Sequence, residues 1–100
     1  MSLTEKWIET ELSCWSINKV LHEISEDRYN ELLKQVKYKG FIKDILPDMD
    51  LLNPPHPLLK VNVIENDEWS GGENGGFSWS VVFIFKYKGK HYLYQDCDSV

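Results

Sequence analysis

The chain has 100 residues, 42% of them hydrophobic and thirteen aromatic, enough for one core without disulfide or metal support and too little for two. Eleven basic against sixteen acidic residues give a formal charge of -5, spread as -3 over the first fifty residues and -2 over the second, so there is no acidic tail. That balance argues against a general binder of phosphate backbones, which needs a concentrated basic surface, and it suits a basic protein partner.

At the amino terminus Glu5, Glu9 and Glu11 stand where a secretory signal would place a basic start and an apolar run. No segment approaches the roughly 18 apolar residues of a membrane span. Cys14 and Cys97 lie 83 positions apart without metal-type spacing and read as a reduced pair. The expectation is a cytoplasmic protein with no membrane association.

Ser2 followed by Glu5 has the form of a capping box, and Leu3, Trp7, Ile8, Leu12 and Trp15 recur at helical spacing. Ile17, Val20, Leu21 and Ile24 continue the pattern, so residues 3–24 are predicted helical, as one helix or as two broken near Ser13 and Ser16. Ser25 starts the next helix. Glu26 and Asp27 suit its positive first turn, Tyr29, Leu32, Leu33 and Val36 form its apolar stripe, and Lys34, Lys37 and Lys39 gather toward its negative end before Gly40 stops it. The helical region thus spans 3–39. Residues 41–46 fit either a short helical turn or an edge strand. Residues 47–57 hold four prolines and read as loop, with Met49, Leu51 and Leu52 available to pin it.

A sheet is predicted over 58–97. Leu59, Val61 and Val63 alternate with polar residues as a first strand, and a polar, glycine-rich connection follows at 66–76. In 77–87, Phe77, Trp79, Val81, Phe83, Phe85 and Tyr87 share one face, which the helices are expected to cover. Val82 and Ile84 make the other face apolar at its middle, which marks a central strand. A two-residue turn at Lys88-Gly89 pairs Phe85 with Tyr92, Phe83 with Tyr94 and Ile84 with Leu93. The fold class is α+β, with N-terminal helices on an antiparallel sheet of at least three strands.

Chemistry is sparse. On a continuous helix Cys14, Asn18 and His22 would fall at i, i+4 and i+8, yet Cys14 and His22 would then lie about 80° apart around the axis and roughly 12 Å apart along it. Proton transfer needs about 3.2 Å, so the thiol reads as buried and inert. His56 and His91 form no metal-ligand spacing with each other or with His22. The glycines of 71–76 precede a strand and lack the lysine of a phosphate-binding loop. Lys86, Lys88, Lys90 and His91, interleaved with tyrosines, are the best feature for nucleic acid, but the tyrosines belong to the predicted core face. No catalytic set, cofactor site or metal site is assigned. The candidate interaction residues are Trp69, Asp67, Glu68 and Glu73: carboxylates to steer a basic partner, and a large apolar anchor with little nearby sequence to cover it. The leading expectation is a small acidic protein-interaction module of the inhibitor or neutralising type. The alternative is a small enzyme or hard-metal binder using Cys14 with His22, or the 66–76 loop.

Overall fold

The computed structural model describes residues 2–14, 19–46, 53–70 and 77–99, with the backbone alone for Trp69, Ser70, Phe77, Asp98 and Ser99. Ser2 caps the first helix, α1 (Leu3–Ser13), by accepting the Glu5 amide. The Glu5 side chain also pairs with Lys88 of the hairpin turn. Ser25 caps α2 (Glu26–Leu33) in the same way through the Arg28 amide. Five strands, β1 (Lys19–Ile24), β2 (Tyr38–Phe41), β3 (Lys60–Ser70), β4 (Phe77–Tyr87) and β5 (Lys90–Ser99), form an antiparallel sheet in the order β1-β5-β4-β3-β2. A four-residue helix, α3 (Ile42–Ile45), follows β2.

The hairpin forms as its sequence dictates. Lys88 and Gly89 take φ of 49° and 80°, the left-handed pair that matches the twist of the flanking strands. Phe85 then faces Tyr92, Ile84 faces Leu93 and Phe83 faces Tyr94. β4 is the middle strand of the five, as its two apolar faces require.

Each face of the sheet carries a helix. On one, Trp7 and Ile8 of α1 pack over Leu21, Val81, Phe83, Phe85 and Tyr94, with Ile42 and Ile45 extending the cluster. The Trp7 ring lies 5.7 Å from Phe85 and 5.8 Å from Tyr94, and Phe83 stacks on Tyr94 at 4.7 Å, tilted contacts and stacking that add to simple burial. On the other, Tyr29 of α2 sits over Ile84 and Leu93, with Ile24, Leu32, Val36 and Ile64 around it. Asn62 donates to the Tyr29 hydroxyl at 2.9 Å, so the buried ring keeps its polar end satisfied.

Four expectations are corrected. Residues 19–24 are a strand: Leu21 points to the α1 side and Ile24 to the α2 side. A strand that sends one apolar residue to each face, here Leu21 and Ile24, loses simple alternation, and the residual spacing imitates a helix. Of the two capped helices α1 alone covers the predicted face of β4, with the short α3 beside it; α2 takes the opposite face. The second helix ends at Leu33, and Gly40 lies in β2, where a Cβ would come 3.3 Å from Ile45 Cδ1. Within α1 the buried positions are Thr4, Trp7, Ile8 and Glu11, whereas Leu3 and Leu12 are exposed. Trp15 and the pinning residues Met49, Leu51 and Leu52 lie outside the described residues. The described end of the proline-rich segment is tied to α1 through polar contacts, with Asn53 Nδ2 donating to Thr10 Oγ1 at 2.7 Å and the His56 amide to Thr4 Oγ1 at 3.3 Å.

Candidate interaction surface

The acidic candidates lie on a strand, because β3 continues past Val63 to Ser70. The length of β4 demands this: with Phe83 opposite Val63, its residues Phe77 to Val82 need partners further along the chain. A bulge between Val63 and Glu65 admits the extra residue Ile64, whose side chain joins the α2-side cluster. Beyond it Glu65 faces Val82, Asn66 faces Val81, Asp67 faces Ser80 and Glu68 faces Trp79. Ser80 Oγ donates to Glu65 Oε2 at 2.9 Å, and Asn66 Nδ2 donates to the Tyr38 hydroxyl at 2.9 Å. Asn66, Asp67 and Glu68 are exposed.

Placement on a strand changes what these carboxylates can do. Asp67 and Glu68 are consecutive and project to opposite faces, so they cannot converge on one calcium ion. Among the described residues, no group of three His, Cys, Asp or Glu side chains is arranged to hold a metal. Trp69 follows on the same strand, opposite Ser78; Glu73 lies outside the described residues. The structure therefore brings Asp67, Glu68 and the Trp69 backbone together and adds Glu65, which sequence reasoning missed. The bulge hid it by breaking the alternation of β3.

Charge is polarised along β3 and β4. Glu65, Asp67 and Glu68 lie at the end where β3 finishes, with Asp96 two strands away in register with Val81. Lys86, Lys88 and Lys90 lie at the hairpin end, with Lys86 six residues along β4 from Ser80, roughly 20 Å away. The hairpin lysines are engaged: Lys88 pairs with Glu5, Lys90 with Glu23 at 3.7 Å, and Lys86 sits 5.4 Å from the Tyr29 ring centre. The Lys88 contact holds the Glu5 carboxyl below its ordinary value. Tyr92 and Tyr94 are buried in the core, and Tyr87, between Lys86 and Lys88, is half-buried against the same cluster.

A second polar group is buried where α1 crosses β5. Glu11 and Asp96 are 4% and 6% exposed. Lys19 Nζ lies 3.4 Å from both Glu11 carboxylate oxygens, with hydrogen-bond geometry to Oε1 alone. The Tyr94 hydroxyl donates to Asp96 Oδ2 at 2.9 Å. Burial, then the Asp96 charge, push the Tyr94 hydroxyl well above the usual tyrosine range. A helix residue, two strands and one cation hold this group together, a structural knot that sequence spacing could not reveal.

The thiol pattern dissolves. Cys14 closes α1 as an exposed residue, contrary to the expected burial, and His22 lies on β1, so the helical i, i+8 relation does not exist. Asn18 lies outside the described residues. Cys97 is likewise an exposed free thiol. His56 Nδ1 accepts the Leu58 amide in a local turn, and the His91 ring packs 4.9 Å from Tyr29. Among the described residues no helix is long and apolar enough to cross a membrane. The chain matches no known protein family, no curated protein and no solved structure.

Proposed function

We propose that this protein is a small interaction module that binds a basic surface of a protein partner, in the manner of an inhibitor or neutralising protein, through the outer part of β3. One contrast carries the reading. Glu5, Glu11 and Glu23 are each matched by a lysine of the same chain, whereas no described cation pairs with Glu65, Asp67 or Glu68. The unmatched carboxylates stand on a strand bonded to the central β4, so their positions are fixed before any partner arrives. They steer and orient the approach, and Trp69, next in sequence, supplies an anchor worth about 2 kcal/mol or more. A cytoplasmic setting accords with the two free cysteines.

Affinity purification from the native cell tests this with wild type, Trp69→Ala and the double variant Asp67→Asn/Glu68→Gln in parallel. The expected result is a stoichiometric basic partner that is lost with the double variant and weakened by Trp69→Ala. A partner retained equally by all three would remove β3 from the interface.

A further inference from the structure

We infer that the edge of β3 from Glu65 to Ser70, where no described strand pairs opposite β4, receives an extended basic segment of the partner as an added strand. The inference rests on the function proposed above and specifies how contact is made. β2 pairs with β3 only between Lys60 and Val63, and the chain leaves that edge at Lys37, whose amide donates to Val63 O at 2.8 Å. Val36, one residue earlier, already packs against the α2-side cluster. Among the described residues, the backbone of β3 beyond the bulge pairs with β4 alone, and one side chain, Asn66, reaches back to the Tyr38 hydroxyl of β2.

The backbone groups on that edge follow from the ladder. Tyr87 and Lys90 close the two-residue hairpin, so Phe85, Phe83 and Val81 direct their N–H and C=O groups toward β5, and Ile84, Val82 and Ser80 direct theirs toward β3. Glu65, Asp67 and Trp69, opposite Val82, Ser80 and Ser78, therefore bond to β4. Asn66, Glu68 and Ser70 turn their donors and acceptors outward. Three consecutive outward positions, continuing the line already occupied by β2, form a template for one more short strand.

Charge selects the occupant. A second copy pairing through this edge would bring the Glu65, Asp67 and Glu68 carboxylates of both copies together, and like charges across a strand pair are destabilising. The same carboxylates favour a strand carrying Lys or Arg. Because Glu68 lies on the α1 face and Glu65 and Asp67 on the α2 face, basic side chains on both faces of the incoming strand find a partner.

The probe is an alternating lysine–valine peptide about eight residues long, titrated into the 15N-labelled protein beside the same peptide N-methylated throughout, which keeps the charge and loses the donors. The plain peptide is expected to shift and protect the Asn66, Glu68 and Ser70 amides and to bind about tenfold or more tightly than its methylated counterpart. Glu68→Pro, which removes an outward N–H and leaves the β4 ladder intact, is expected to weaken the plain peptide well beyond Glu68→Gln, which removes only the charge. Equal binding of the two peptides, equal effects of the two substitutions, or no shift of those amides at about 1 mM peptide would overturn strand addition. Each of those outcomes leaves the acidic surface itself to stand or fall on the partner's response to Asp67→Asn/Glu68→Gln.

Discussion

The Tyr94 hydroxyl donates a 2.9 Å hydrogen bond to Asp96, two residues further along the same face of β5, beneath α1. Burial and the neighbouring Asp96 charge raise the Tyr94 pKa, and burial raises those of Tyr29 and Tyr92 in the same direction. The folded state thus keeps protons that the unfolded chain releases near pH 10. Stability from these groups is fully present below about pH 10 and is lost as pH rises beyond it. Urea midpoints measured from neutral to strongly alkaline pH are expected to fall above that point, and Tyr94→Phe should flatten the fall. An unchanged alkaline slope in Tyr94→Phe would place the titration elsewhere.

Glu5 and Lys88 form an exposed pair that joins α1 to the hairpin turn. The lowered Glu5 pKa means that the pair's contribution is present above the ordinary glutamate value and is lost as pH falls through the depressed one. Lys88→Met should raise the Glu5 titration toward its ordinary value of 4.5, as followed by carboxyl carbon shifts. No movement would mean that Lys88 does not hold the carboxylate in solution.

Phe83 is fully buried and stacked on Tyr94 at the centre of the α1-side core. Phe83→Ala should cost roughly 3–5 kcal/mol by leaving an aromatic-sized cavity in close-packed surroundings. Chemical denaturation measures it directly, and a loss below about 1 kcal/mol would contradict the packing.

Glu11 is buried against Lys19, so removing the cation strands a carboxylate inside the protein. Lys19→Met is expected to cost about 1.5–3 kcal/mol. The double variant Glu11→Met/Lys19→Met should recover part of that loss, because no uncompensated charge remains. A double variant less stable than Lys19→Met alone would show that the Glu11 side chain has a further stabilising contact.

The elements legible from sequence are those whose pattern is set by one buried face or one turn. Lys88-Gly89 and the apolar positions of β4 fixed the hairpin register, and Ser2 and Ser25 marked the starts of α1 and α2. β1 was illegible because Leu21 and Ile24 serve opposite layers. The outer half of β3 was illegible because the bulge at Ile64 breaks its alternation and its exposed residues are polar. The candidate site was half visible: Asp67 and Glu68 were found by charge. Their fixed positions on a strand, and the partnership with Glu65, depend on pairing with β4 and have no local signature. Glu11 with Lys19 was hidden for the same reason, since a helix residue meets a strand that sequence spacing assigned to a helix.

The most direct test of the acidic strand as the binding surface is an amide-resolved NMR map of the 15N-labelled protein with and without its stoichiometric partner. Shifts and broadening are expected to concentrate on residues 65–70 of β3 and on Ser78 to Ser80 of β4, while α2 and the Lys86 to His91 hairpin end stay unperturbed. A footprint centred on that hairpin or on α2, with 65–70 unchanged, would contradict the account.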